Sequence, residues 1–249
     1  MRTQTLAEVA GVRIHRALAM AGVASRRGAE ALVSEGRVLV NDAPATIGQI
    51  VTPRDRLRVD GELVRTQTTQ IYLLNKPAGV VSTASDPQGR PTVLDGLPQD
   101  VRLYPVGRLD IETTGALLVT NDGDLAHRLM HPSSGVIKVY EALVNGRVSA
   151  DSIRTLRKGV TLDDGTVTAP CGCEVMDKLH PKATWLRFEL HEGRNRQIRR
   201  MCEAVDHRVI KLHRPAYGNL ALRGLSRGEW RALSAVELRK LASLVGLER

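Results

Sequence analysis

Carboxylates, guanidiniums and phenols are the side chains of this sequence that could act on a substrate, and they gather in few places. The segment Gly107-Arg108-Leu109-Asp110-Ile111-Glu112-Thr113-Thr114-Gly115 sets one carboxylate beside one guanidinium, just ahead of the apolar run Ala116–Thr120. A loop at the end of a strand is a common seat for a reacting group, because a rigid sheet aims it. A lone Asp in a loop is nevertheless more often a turn or capping residue. Glycoside cleavage would need a second carboxylate facing the first. Glu112 is at hand, but adjacency in sequence does not make it face Asp110.

A second cluster, Arg194 to Arg200, carries four arginines. If Ile198 and Met201 point inward on a helix, Arg196 and Arg200 fall on the solvent side and Arg199 at the flank, within reach of a cleft. Arg196 and Arg200 then read as phosphate contacts or as a solvated charged face. His127 and His131 stand at i, i+4, yet His127 lacks the following Glu of a helical metalloprotease motif. They read as surface or capping histidines. Cys171-Gly172-Cys173 is a lone Cys-x-Cys rather than a paired zinc motif, so it and Cys202 read as free thiols. No metal site and no cofactor is expected.

The elements that must position these groups belong to an ordinary globular chain, 249 residues long with 42% hydrophobic and 25% charged residues. That length suits one large domain and a small one. No apolar stretch approaches the roughly 20 residues of a membrane span. The opening residues lack the pattern of a signal peptide, and three cysteines imply no disulfide framework, so the expected setting is a reducing cytoplasm. Lys+Arg number 36 against 27 Asp+Glu, a net charge of +9. Nucleic acid is the natural polyanionic partner for such a balance, though a merely soluble basic protein shows it too. One Phe, four Tyr and two Trp are too few for a base-stacking sheet. Binding should lean on phosphates and RNA shape.

Along the chain, Ile14, Ala17, Leu18 and Ala21 follow helical spacing, with Gly22 as a stop. Ser25 is a candidate N-cap for a second helix that turns Ala29, Leu32 and Val33 inward and ends at Gly36. Val38–Val40 and Leu57–Val59 read as strands leading into Asn41-Asp42 and Asp60-Gly61 turns. Arg13, Arg16, Arg26, Arg27 and Arg37 lie on or beside these helices, as a solvated basic face or a phosphate-contacting one. Residues 61–70 are polar and turn-rich and read as a linker. Beyond them, Ile71–Leu74, Val80–Thr83 and Ala116–Thr120 read as strands and Leu125–Met130 as a short helix. Ile198, Met201, Cys202 and Val205 form an apolar helical stripe.

The run RIHRALAMAGVASRRGAEALVSEGRVLVNDAPA resembles the S4 RNA-binding domain. LNKPAGVVST, PVGRLDIETTGALLVTNDGDLAHRLMHP, KVYEALVNG and HEGRNRQIRRMCEAVDHRV are similar, in order and spacing, to the motifs of the RsuA/RluB-type ribosomal RNA pseudouridine synthases. The resemblance covers most of the chain. It implies an α+β fold: a small S4 (α-L-like) domain over residues 12–60, the linker, and a catalytic domain over 71–249. The latter should hold a mixed, largely antiparallel sheet flanked by helices.

The resemblance also implies roles. Asp110 becomes the catalytic carboxylate, as nucleophile or base. Arg108 becomes the arginine that holds RNA with its uridine flipped out, Tyr140 the aromatic packing on that base, and Arg199 the partner of Asp110. On charge and position, and not through the resemblance, Arg194, Arg196, Arg200 and the five N-terminal arginines are the candidate RNA contacts, with a solvated basic face as the alternative. Breaking N1–C1′ and joining C5 to C1′ requires the base to leave its stack, and the isomerisation consumes no cofactor. The implied substrate is a stem-loop of ribosomal RNA, 23S rather than 16S, free or in a pre-ribosomal particle, acted on by a monomer in the cytoplasm. The rival is a non-catalytic S4-type RNA-binding or ribosome-assembly factor, which has no use for Asp110, Tyr140 and Arg199 together. Two positions depart from the family pattern. Asp206 stands where relatives usually have Gly, and Asp tolerates the left-handed geometry of a helix stop better than most residues. Ala116 stands for a usual Leu, a change that should touch packing alone.

Overall fold

A computed structural model of the chain describes residues 11–247, which divide into two compact units. The first ends at Thr69 and includes Asp100–Arg102; the second holds Gln70–Gln99 and everything from Leu103 on.

The first unit contains β1 (Val12–Arg13), α1 (Ile14–Met20), α2 (Arg26–Ser34), β2 (Val38–Val40), β3 (Ala43–Pro44), β4 (Ile50–Val51), β5 (Leu57–Val59) and β6 (Glu62–Leu63). Ser25 caps α2, its hydroxyl accepting from the Gly28 amide at 3.0 Å. The inward stripe is as spaced: Ile14, Leu18, Ala29 and Val33 are buried with Val38, Val40 and Val51 in one core. The strands run in the order β3-β2-β5-β6. Asn41 and Asp42 turn the β2–β3 hairpin with φ of 51° and 70°, the left-handed pair that a tight hairpin needs. The linker is shorter than its polarity suggests. Glu62 and Leu63 pair with Val59 and Arg58, and Val64 packs on the core. An Asp-Gly turn followed by a hydrophobic pair was enough to extend the sheet.

The second unit continues with β7 (Ile71–Lys76), β8 (Tyr104–Val106), β9 (Thr114–Thr120), α3 (Gly123–Met130), β10 (Lys138–Asn145), α4 (Ala150–Lys158), β11 (Gly172–Val175), β12 (Ala183–Leu190), α5 (Gln197–Glu203), β13 (Val209–Tyr217), β14 (Leu220–Ala221), β15 (Trp230–Ala232) and α6 (Ala235–Ser243). Its sheet runs β11-β12-β10-β13-β9-β7-β15, with β14 beside β13 and β8 beside β9. Its pairings are antiparallel except β9 with β13, so the fold is α+β with a mixed, largely antiparallel sheet. Alternation along β7 and β9 buries both faces. Leu73, Ala116 and Leu118 pack with α3 and α6, while Leu74 and Leu117 face Val93 and Leu109. Helices α4 and α5 cover β10, β12 and β13 through Leu156, Ile198, Met201 and Cys202.

Three local expectations can be compared with this fold. Asp206 does adopt left-handed geometry, φ 63°, and the His207 amide closes the end of α5 on the Cys202 carbonyl at 2.9 Å. Ala116 is fully buried within its cluster. Val80–Thr83, however, is not a strand; it makes one bridge, Val81 to Thr92. The Pro77-Ala78-Gly79 turn binds the Ile111 carbonyl through the Gly79 amide at 2.9 Å. That bond draws the segment onto the 107–113 loop instead of into the sheet.

Candidate functional site

The 107–113 loop joins β8 to β9 and is fixed along its length. Leu109 is buried, and Ser82 clamps its backbone: the hydroxyl donates to the Leu109 carbonyl at 2.9 Å and accepts from its amide at 3.1 Å. The Thr113 amide closes a turn on the Asp110 carbonyl at 3.0 Å. Beneath the turn lies Lys76, fully enclosed. Its ammonium donates to the carbonyls of Pro77, Ile111 and Thr113 at 2.9, 3.1 and 3.0 Å. Burial pulls the Lys76 pKa down to about 8, against the opposing charges of Glu112 and Asp110. The Lys76 contacts tie the end of β7 to the loop that carries Asp110.

The Asp110 carboxylate is 30% exposed and lies between two arginines, with Arg199 Nε 3.7 Å and Arg196 Nη1 3.8 Å from its Oδ2. Arg199 extends from α5, is largely buried, and donates through Nη1 to the Val209 carbonyl at 3.2 Å. The contact is a single one rather than a bidentate fork, and the guanidinium bridges carboxylate and backbone. Arg196 needs correction. It was expected on the solvent face of a helix with Arg200, but α5 begins one residue later, and Arg196 sits at the N-cap with φ 48°. Non-glycine residues held in left-handed geometry carry strain and cluster at functional sites. This one turns toward Asp110. Buried Gln197 braces the turn, accepting from the Arg194 amide at 3.0 Å and donating to Glu192 at 2.6 Å. Arg200 is a second correction: its side chain is only 16% exposed, held by Asp163 and by Asp164 at 2.7 Å. Unlike Arg194 and Arg196, it does not line the cleft in which Asp110 lies.

Tyr140, on β10, packs against both the Leu74–Leu109–Leu117 cluster and the core beneath α5. Its hydroxyl accepts from Arg214 Nη1 at 3.1 Å. Arg214, on β13, is 3% exposed, donates through Nε to the Ala116 carbonyl at 2.7 Å, and lies 5.7 Å and 5.1 Å from the ring centres of Tyr140 and Tyr217. Gly115 permits this approach. A β-carbon there would stand 2.3 Å from the Arg214 carbonyl oxygen, and its φ is +116°. Lys138, buried at the start of β10, donates to the His191 carbonyl at 3.2 Å and faces the Tyr217 ring at 5.8 Å.

These groups surround a cleft of about 860 Å³ that Asp110, Tyr140, Lys138 and Arg214 all line, with Arg108, Arg194 and Arg196 exposed around it. Glu112 is not among the residues lining that cleft, although it lines a neighbouring cavity together with Asp110, Arg196 and Arg199. The His131 ring nitrogen accepts from the Ser133 amide at 3.3 Å, and no group of three or more metal-ligating side chains occurs among the described residues. Cys171, Cys173 and Cys202 are free, and burial pushes each thiol well above its usual range. In the first unit Arg13, Arg26 and Arg27 are exposed and Arg16 half-buried. Arg37 is exposed but committed to Asp60 at 2.6 Å and Glu35 at 3.1 Å. Lys76, Gln197 and Arg214 escaped the sequence reading. A lysine closing the apolar strand IYLLNK, and an arginine in a strand beside a Tyr, were the signals available.

A carboxylate set between guanidiniums, beside a tyrosine face in an open cleft, can attack or deprotonate a flat substrate that stacks on the ring. Residues 70–204 match the RNA pseudouridylate synthase family and residues 12–57 match the S4 domain. The chain is 44% identical to the ribosomal large subunit pseudouridine synthase B of Bacillus subtilis, over 93% of this chain and 96% of that one. It is 40% identical to the protein of that name from Salmonella typhimurium, over 94% and 84%. A crystal structure of a pseudouridylate synthase superposes with a TM-score of 0.68 at 27% identity, covering 92% of this chain and 99% of that one. The chain belongs to the RNA pseudouridine synthase family, in the branch that carries an N-terminal S4 domain.

Proposed function

We propose that this enzyme isomerises a specific uridine of large-subunit ribosomal RNA to pseudouridine, with Asp110 as nucleophile or base on a flipped-out nucleotide. The observation that carries the reading is the placement of Asp110 between Arg196 and Arg199, in the cleft that Tyr140 lines. In this reading the uracil packs on Tyr140, and Arg199 aims the carboxylate through its guanidinium. Arg108, Arg194 and Arg196 meet phosphates around the cleft, while Arg13, Arg16, Arg26 and Arg27 meet phosphates further along the RNA. The likeness to large-subunit enzymes over nearly the whole chain supports 23S over 16S. A cytoplasmic monomer acting on a stem-loop or a pre-ribosomal particle fits the charge, and among the described residues no helix could cross a membrane.

The test is chemical mapping of pseudouridine in ribosomal RNA from cells with and without the protein. One 23S position should lose its modification and regain it with wild type but not with Asp110→Asn. Loss at a 16S position would overturn the large-subunit assignment. No change at any position would overturn the ribosomal one and favour a binding or assembly factor.

A further inference from the structure

Two cations lie buried in the cleft with nothing to neutralise them. Arg214 is 3% and Lys138 8% exposed, and neither has an ion-pair partner among the described residues. The cleft's carboxylates are spoken for: Asp110 by Arg196 and Arg199, Glu192 by Arg194 and Gln197, Asp86 by Arg90. Arg214 Nη2 is moreover buried without any hydrogen-bond acceptor. An unmet buried guanidinium N–H is costly. The two cations also feel one another, since the charge on Arg214 adds to burial in lowering the Lys138 pKa. Such a pair is made for an oxygen that becomes negative when substrate is bound. The exposed Arg108, Arg194 and Arg196 are placed for backbone phosphates. The buried pair lies deeper, where Arg214 grips the hydroxyl of the ring on which the base would stack.

We infer that Arg214 and Lys138 form an anion site for the departing uracil, receiving its ring carbonyl oxygens as the glycosidic bond breaks. The inference rests on the proposed isomerisation. Heterolysis of N1–C1′ leaves the electron pair on the uracil, where the charge spreads over N1 and the two carbonyl oxygens. Asp110 meets the electrophilic sugar either by bonding to C1′, a bond that breaks when C5 bonds to C1′, or by taking the C2′ proton, which it returns to C2′ as C5 bonds to C1′. C5 then loses its proton and N1 gains one, so the product is an isomer. Fixed, buried cations stabilise that passing charge without having to reorganise.

The test is single-turnover kinetics on an RNA fragment holding the target uridine, with wild type, Arg214→Gln and Lys138→Met. Each variant should lower the maximal rate about 100-fold with little change in KM. The same fragment carrying 5-fluorouridine supplies a base that leaves more readily as an anion. Loss of its N-linked form, read after nuclease digestion, should be slowed much less by either variant. Thermal unfolding separates a folding defect in Arg214→Gln, and Lys138→Met repeats the test at a second residue. A raised KM with the rate intact would make the pair a phosphate clamp and overturn the inference, as would an equal defect on both bases. A wild-type chain that converts no uridine would remove the function reading and this inference with it.

Discussion

The two units hold their cations in different ways. In the first, the arginines are mostly exposed and several pair with exposed carboxylates: Arg37 with Asp60 and Glu35, Arg56 and Arg58 with Asp42, while Arg13 and Arg27 are exposed. In the second, beside the exposed Arg108, Arg194 and Arg196, three cations of the catalytic domain are withdrawn from water and held by backbone carbonyls and rings: Lys76 by three carbonyls, Arg199 by Val209, Arg214 by Ala116 and two tyrosines. Exposed charge acts at a distance and is screened by salt, while enclosed charge acts at one spot and escapes screening. In the proposed reading, the same residue type would serve affinity in one unit and chemistry in the other.

The sharpest break of that contrast is Asp110→Asn. It leaves size and polarity alone and removes the charge that Arg196 and Arg199 surround. Turnover should fall by roughly 10⁴-fold or more while RNA affinity stays near wild type. Measurable turnover by the variant in a pseudouridine assay would place the nucleophile elsewhere.

Arg199→Lys comes next, with an expected loss of about 100-fold in kcat. An ammonium cannot reach Asp110 and the Val209 carbonyl together as the guanidinium does. Wild-type kcat in that variant would show that Arg196 alone suffices to hold the carboxylate.

The catalytic side of the contrast was only partly legible. Asp110, Tyr140 and Arg199 stand in motifs whose resemblance marks them, and the core stripes of α1, α2 and α5 follow from spacing alone. Arg196 was misplaced because a helical wheel assumes the helix has begun, and the left-handed residue ahead of Gln197 leaves no periodic trace. Arg200 looked free because its partners, Asp163 and Asp164, are distant in sequence. Lys76 and Arg214 were invisible for the same reason: their partners are backbone carbonyls and rings brought near only by the sheet.

Lys76 carries a pH signature. Its pKa falls from 10.5 to about 8 on folding, so between those values the unfolded chain binds the extra proton. Stability therefore rises with pH across that window, and the cost of burying the charge is fully present below it. Relative to Lys76→Met, wild type should gain up to roughly 3 kcal/mol between pH 7 and pH 10.5. Denaturant unfolding at several pH values checks this. A pH-independent difference would show that Lys76 keeps its ordinary pKa.

The smallest expected effect lies in the first unit and separates its arginines from one another. Removing one arginine–phosphate interaction should flatten the plot of log affinity against log salt by roughly 0.7–0.9. Arg27 is exposed, and among the described residues it has no ion-pair partner. Arg26 is exposed, and among the described residues its guanidinium meets the His15 ring at 3.3 Å. Removing both as Arg26→Ala with Arg27→Ala should flatten the slope by up to two such steps and leave the maximal rate alone, because phosphate contacts position RNA without touching the reacting base. Arg37→Ala should barely alter the slope, since Asp60 and Glu35 already offset that charge. Its cost should appear in stability instead and be small, since the pair is exposed. Salt titrations of RNA binding for the two variants decide the matter. An Arg37→Ala slope as flat as that of the double variant would mean the ion pair opens to meet a phosphate. Local pairing would then not predict which arginines touch RNA.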